Sequence, residues 1–400
     1  MKQKMIVLAI LSAALTVMLS TGIRQSFGLF LSPVSQTLGT GREVFSLAIA
    51  LTNIIYGLPL VGMLADRIGP RWVIVAGGML YAVGLLLMGL ISSPGGLYLT
   101  LGVMIGLALS ATTYVVVLGA VAQLVPPDKR SQTFGIITAT GASGMFVVPP
   151  LAQLLLSNFG WQTALAILAV LAGLIVLLAF GLAGKSGQPD GEAATAEAEE
   201  SFIQLLNKAR RHNGYLLLVA GFFVCGFHVA FIGTHLPAFL GDQGLSPLVG
   251  AGALSLVGAF NMVGSYSFGW LGDRYRKKYL LSFLYFMRAV VITIFLLVPI
   301  SQTSALLFGG AIGFLWLATV PLTSGTVAQI FGARYLSTLF GLVFLSHQVG
   351  AFLGVWLGGR IYDATGSYDP VWYMAIGLGI LAALLHAPIV DQPVTAAQPG

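Results

Sequence analysis

Five ionisable side chains stand inside long apolar runs of this sequence: Arg24, Arg288, His228, His235 and His347. If those runs cross a bilayer, a charge at mid-depth costs about 2.5–3.5 kcal/mol even on insertion scales, so each needs a partner, water or a ligand. No carboxylate is at hand. All thirteen acidic residues fall in loops, at the edges of apolar runs or in the carboxy-terminal tail. A guanidinium without a built-in counter-ion can pair with an anion, and a histidine that gains a proton beside that anion can couple the two. The chemistry expected is recognition of a small organic carboxylate, with amines repelled.

The spacing of these residues refines the expectation. Ser12, Thr16, Ser20 and Arg24 recur every four residues, a slowly turning stripe that is expected to line a polar cavity; the alternative for Arg24 is to snorkel to the headgroups. Arg288 lies in the middle of its run, where substrate contact and a buried structural bond are both open. His228 and His235 are seven residues apart, on one helix face, and offer either a proton path or two core imidazoles bonded to carbonyls. His347 precedes Gln348 and a small-residue stripe at Gly350, Gly354 and Gly358, so it is either packed or in contact with substrate or proton.

The elements that must position these groups follow from composition. Of 400 residues, 57 % are hydrophobic and 8 % charged, and the mean hydropathy is +0.92, which excludes a set of soluble domains. Since a spanning helix needs about 20 apolar residues, the sequence reads as twelve spans: 5–31, 43–64, 73–91, 97–125, 133–157, 161–183, 215–241, 248–271, 279–300, 304–330, 337–360 and 371–390. The fold class is thus an all-α membrane protein. Residues 184–214 separate the first six spans (1–183) from the second six (215–391), with 392–400 as a tail. This linker is Ala-, Gly- and Glu-rich to Glu200, then becomes a short amphipathic helix suited to a membrane surface. Fifteen of the nineteen Lys and Arg residues fall on the side of the amino terminus and only Arg42 and Arg360 opposite, so both termini are expected in the cytoplasm.

Several functions are excluded by the same inventory. The net charge of +6 is a topology signal rather than a nucleic-acid footprint. One cysteine, Cys225, allows no internal disulfide, no metal-ligand spacing occurs, and no nucleotide-binding loop or soluble catalytic domain is present. An enzyme, a cofactor and a bound metal are therefore not expected.

An internal repeat adds the decisive pattern. Gly62, Leu64, Ala65, Asp66, Arg67, Gly69 and Arg71 after span two are echoed by Gly269, Leu271, Asp273 and Arg274 after span eight. The two Asp residues are 273 − 66 = 207 apart, while Arg130 and Arg334 are 204 apart, which marks a duplicated six-helix unit. In this motif the sequence resembles the major facilitator superfamily. The resemblance implies two pseudo-symmetric bundles that rock around a central site, with the motif residues forming a gate. It also implies that spans two, four and eight line the cavity, which brings Asn53, Tyr56, Tyr114 and Asn261 forward as hydrogen-bonding candidates.

Within that superfamily, Gly22 to Phe30 resembles the monocarboxylate porters, which carry a basic residue before an aromatic-rich run, here Arg24. In general plan the chain is also similar to oxalate/formate-type antiporters. The porters' Asp and Arg on the eighth helix are replaced by Asn261 and Ser265, which would leave Arg288 or a histidine to take the missing arginine's place. The expectation is a monomeric, proton-coupled transporter of a small monocarboxylate-like anion in a plasma or bacterial inner membrane. Arg24 and Arg288 would bind the anion; His228, His235 or His347 would titrate. A drug or metabolite exporter of the same superfamily is the alternative, and a membrane sensor or enzyme the alternative of another class.

Overall fold

The computed structural model describes residues 2–58, 60–122, 125, 127–182, 202–332 and 336–393. The linker before residue 202 and Arg334 lie outside the described residues. The first half begins with α1 (Lys2–Gln25), a 3-10 turn (Phe27–Phe30) and α2 (Leu31–Leu38), which together form one crossing. It continues with α3 (Arg42–Tyr56), α4 (Leu60–Ile68) and α5 (Pro70–Met88). Span four is built from α6 (Pro94–Leu97), a π-helical stretch (Tyr98–Met104), α7 (Ile105–Thr112) and α8 (Tyr114–Ala122). Spans five and six run together as α9 (Pro127–Gly181), divided at Gly160, whose φ of 76° leaves the helical region. Pro149 and Pro150 lie inside α9, and the residue that leaves helical dihedrals is Gly160.

The second half has α10 (Phe202–Arg211), α11 (Asn213–Asp242), α12 (Pro247–Gly272), α13 (Lys277–Leu297), α14 (Gln302–Phe314), α15 (Thr319–Phe331), α16 (Leu336–Thr365) and α17 (Asp369–His386). Among the described residues, ten stretches are long and apolar enough to cross a membrane. Dividing α9 at Gly160 and adding the interrupted pair α3–α4 makes the twelve spans of two six-helix bundles. Lipid forces this all-helical solution, because it offers no water to backbone N–H and C=O groups.

Breaks at membrane depth are tolerated only where protein or a cavity covers them. The break between α14 and α15 is covered by two polar side chains. Arg288 donates from Nε and Nη2 to the Leu315 carbonyl, at 3.1 and 2.7 Å, and from Nη2 also to the Trp316 carbonyl. Asn261 Oδ1 accepts the Leu317 N–H at 3.0 Å and the Ser265 hydroxyl at 3.2 Å. A cation at the carboxy-terminal end of α14 also complements the helix dipole.

The chain after α17 straps one end of the second half. Lys278 donates to the Ile389 carbonyl at 2.8 Å and Gln329 to that of Asp391 at 2.9 Å, while Arg276 pairs with the Asp391 carboxylate at 2.6 Å. Partial burial works against the charge of Asp391, but the bond and field of Arg276 outweigh it and hold the carboxyl below the usual carboxylate range.

Replacing Arg288 by Ala is expected to leave the Leu315 and Trp316 carbonyls unsatisfied and to cost about 1–3 kcal/mol. Thermal unfolding of the detergent-purified variant should show a lower Tm. An unchanged Tm would contradict this role for Arg288.

Candidate functional site

Arg24 sits at the last turn of α1, where the chain passes into the Ser26 turn, and its half-buried side chain faces the second half. Its Nη2 donates to Asn53 Oδ1 of α3 at 2.7 Å, and its guanidinium lies 5.1 Å from the centre of the Tyr56 ring. Both partners are neutral. A small cavity of about 50 Å³ adjoins it, lined from the first half by Arg24, Gln25, Phe27, Gly28, Ile49, Thr52 and Asn53 and from the second by Val229, Ala230, Gly233 and Thr234 of α11. Tyr56 packs edge-on against Phe344 of α16, with ring centres 6.0 Å apart. Arg24, Asn53 and Tyr56 thus form one cluster between the halves.

The remaining candidates fall elsewhere. The Ser12, Thr16 and Ser20 stripe turns into the first bundle rather than toward the cavity: Ser20 bonds Thr112 of α7 at 2.6 Å and all three side chains are buried. Each step of four residues advances about 40° around the helix, so by Arg24 the stripe has rotated out to the interface. Tyr114 places its hydroxyl against Gly141 of α9. Arg288 and Asn261 do not line the cavity; they bond the α14–α15 break. The His228 Nε2–H donates to the Ala375 carbonyl of α17 at 2.8 Å, inside the second bundle. His347 Nδ1–H donates at 3.4 Å to Gln348 Oε1, and its ring stacks on Phe344, so it borders the cluster at Tyr56.

His235 belongs to a different feature, a polar closure at the end of the bundle where α3 starts. Arg42 forms a two-pronged pair with Asp242, at 2.6 and 2.7 Å, and donates to the Tyr368 hydroxyl at 2.9 Å. Asp363 accepts the backbone N–H groups of Arg42 and Glu43, each at 2.8 Å, and so caps α3 from the opposite half. Glu43 in turn accepts from Trp356 at 3.0 Å and pairs with Arg360 at 3.1 Å. Gly41 permits the closest approach, since a Cβ there would lie 2.1 Å from an Asp363 oxygen. His235 stands behind this layer. Its Nε2–H donates to the Val355 carbonyl at 2.9 Å, and its Nδ1 accepts the Tyr368 hydroxyl proton at 3.0 Å. That pattern requires a neutral ring.

The repeated motif lies at the other end. Arg67 and Asp273 are exposed, Gly69 turns with φ 91°, and Arg71 rests over Phe180 and Trp72. Arg274 folds back on Trp270 in the last turn of α12, 3.6 Å from the ring centre. A Cβ at Gly269 would make ordinary contact with Pro321, and Gly62 lies within α4. The side chain of Asp66 is outside the described residues.

Comparison with known proteins agrees with this architecture. The sequence profile of the Major Facilitator Superfamily matches residues 13–319. The chain belongs to that superfamily. It is a transport protein of a multi-pass membrane family, not an enzyme. It is 28 % identical over 393 residues to monocarboxylate transporter 13 of Rattus norvegicus, covering 95 % of this chain and 89 % of that one. To the MFS-type transporter YcxA of Bacillus subtilis (strain 168) it is 26 % identical over 380 residues, covering 92 % and 91 %. A solved bacterial homolog of the human lysosomal transporter Spinster superimposes with a TM-score of 0.74 at 14 % identity, covering 94 % of this chain and 95 % of that chain. The D-xylose-proton symporter gives the same score at 14 % identity, covering 96 % and 97 %.

Sequence reasoning missed the Arg42, Glu43, Asp242, Asp363 and Tyr368 closure. The available signal was the placement of Arg42 and Arg360 alone against fifteen basic residues on the other side, beside acidic residues at span ends. Substituting Gly41 by Ala is expected to push Asp363 off the α3 terminus and loosen this end. With a reporter cysteine at Thr234 in a Cys225→Ser background, labelling by an impermeant maleimide should rise by roughly fivefold, the scale of one exposed ion pair. Labelling unchanged from the Gly41 parent would contradict a closing role.

Proposed function

We propose that this superfamily member carries a small monocarboxylate-like anion across the membrane together with a proton, by rocking of its two halves. The observation that carries the reading is Arg24, held between the halves with a neutral amide as its hydrogen-bond acceptor and an aromatic face beside it among the described residues. A carboxylate arriving there exchanges the weak Asn53 bond for a charge-assisted, two-pronged one. The monocarboxylate transporters among the relatives support the substrate class. Asn53 then serves as a parking acceptor that keeps the guanidinium aimed while the site is empty, and Tyr56 confines it from the side. Arg288, bonded to carbonyls, is left a supporting role.

The proton belongs beside the anion. Of the three intramembrane histidines, His347 is the one that borders the Arg24 cluster, through Phe344 and Gln348, and it takes the coupling role in this reading. Protonation there as the anion binds lowers the net charge change of the loaded site, and each ligand favours the other by the same factor. His228 is a packing residue. His235 reports on the closure, which needs it neutral: a proton on Nδ1 would meet the Tyr368 hydroxyl as a second donor beside the Arg42 cation.

The basic-residue bias supports an orientation with the motif end in the cytoplasm and the Arg42 closure outside. In that orientation the structure is closed to the exterior, and the motif residues re-engage to close the interior in the alternate state. In proteoliposomes, uptake of radiolabelled pyruvate should accelerate when the outside is made acidic, and Arg24→Ala should remove at least about 90 % of it, a tenfold loss being 1.4 kcal/mol. Uptake indifferent to an imposed pH gradient would refute proton coupling; full uptake by Arg24→Ala would refute the anion site.

A further inference from the structure

Two amide donors beside the Arg24 cluster lack any acceptor among the described residues. Gln25 follows Arg24 and lines the small cavity, and its Nε2 is buried without a hydrogen-bond partner. Gln348, in the middle of α16, is fully buried, and its Nε2 is likewise unpartnered. A buried amide with no acceptor is destabilising by itself, and of the twelve unpartnered buried side-chain atoms among the described residues these two lie beside the Arg24 cluster.

Gln348 is held next to the cluster from the opposite half. Its Cγ packs on Gly57, where a Cβ would come within 2.6 Å of it, so the absence of a side chain at 57 makes the room. Gly57 directly follows Tyr56 and its own N–H bonds the Asn53 carbonyl at 3.1 Å, so Gln348 rests against the same turn that presents Asn53 and Tyr56 to Arg24. The amide is also oriented. His347 Nδ1–H engages Oε1, which can only accept, and that leaves the two N–H bonds of Nε2 without an internal partner. Phe344 and Phe222 hold the His347 ring, with ring centres 5.6 and 5.1 Å away.

We infer that Gln348 is a substrate-contacting residue, the second half's hydrogen-bond donor to the anion, with Gln25 its counterpart on the first half and His347 the positioning residue behind it. This rests on the anion reading above and deepens it. A carboxylate has about four acceptor positions on two oxygens, enough to take the Arg24 fork and an amide from each side. The anion then ties the two halves together at mid-depth, and it discriminates for ligands that present acceptors in both directions. A cation or an amine has no acceptors for three sets of N–H groups.

The test compares wild type with Gln348→Leu and Gln348→Asn in full-length protein, using pyruvate as probe. Gln348→Leu keeps the volume and removes both the donor and the acceptor of His347, so a modest fall in its Tm without ligand is expected from the lost His347 bond and the decisive readout is the response to pyruvate. Its KM for radiolabelled pyruvate in proteoliposomes should rise at least about tenfold, with the thermal stabilisation by pyruvate lost; one hydrogen bond to a charged group is worth that much. Gln348→Asn, which keeps a donor on a shorter arm, should recover part of the KM. Wild-type KM and wild-type stabilisation in Gln348→Leu would overturn the assignment while leaving the Arg24 anion site standing. If wild type itself responds to neither pyruvate, lactate nor acetate, the anion reading falls and takes the role of Gln348 with it.

Discussion

The structure turns on one cation held at membrane depth without a carboxylate beside it. Arg24 could be buried alone only at a large cost, so the surrounding chain provides what a neutral protein can: the Asn53 carbonyl oxygen of its side-chain amide at 2.7 Å, the face of Tyr56, and a cavity at the seam of the two halves. The backbone follows the same constraint. The helix of span one gives way at Ser26, and that of span two at Gly57, directly beside the residues that hold Arg24. Irregular backbone is tolerable there because it lines a cavity or faces protein rather than lipid.

The contrast between the two intramembrane arginines shows how neighbours decide a role. Arg288 and Arg24 share a residue type and a place within an apolar run, and only the Ser12, Thr16 and Ser20 stripe sets Arg24 apart in the sequence. The surroundings of Arg288 differ: two carbonyls freed by the α14–α15 break take N–H groups of its Nε and Nη2, and Asn261 takes the adjoining N–H of Leu317. The break falls at Leu315-Trp316-Leu317-Ala318, a stretch with no Gly or Pro to announce it. Nothing local in the sequence could therefore have said that Arg288 and Asn261 were already committed. The number and limits of the spans were far easier to read, since lipid imposes a length and composition on every crossing. The helix ends observed lie within a few residues of the apolar runs for most spans.

Long-range pairing was the other part hidden from the sequence. Arg42 lies 200 residues before Asp242 and 326 before Tyr368, and no periodicity links positions so far apart. What the sequence could show was the type of each residue and its place at a span end. Gln348 was visible only as a neighbour of His347; its significance emerges from the contact with Gly57 and from an amide nitrogen with no partner. The closure thus lies at one end of the bundles and the central cluster between the halves, while Arg67 and Asp273 of the repeated motif are exposed at the other end. Groups engaged at one end and exposed at the other are the physical elements that a two-state machine needs, and a ligand bridging the halves between them biases that equilibrium only through contacts that differ between the states.

The central claim is that a negative charge, rather than size or polarity, fills the place beside Arg24. The most direct measurement is the shift in Tm of the purified full-length protein with pyruvate and with pyruvamide, its uncharged counterpart of nearly the same shape. Stabilisation by pyruvate, reaching about 2.7 kcal/mol at a concentration 100 times its Kd, with none from pyruvamide, is the result expected. Equal stabilisation by both compounds, or stabilisation by amines alone, would contradict it.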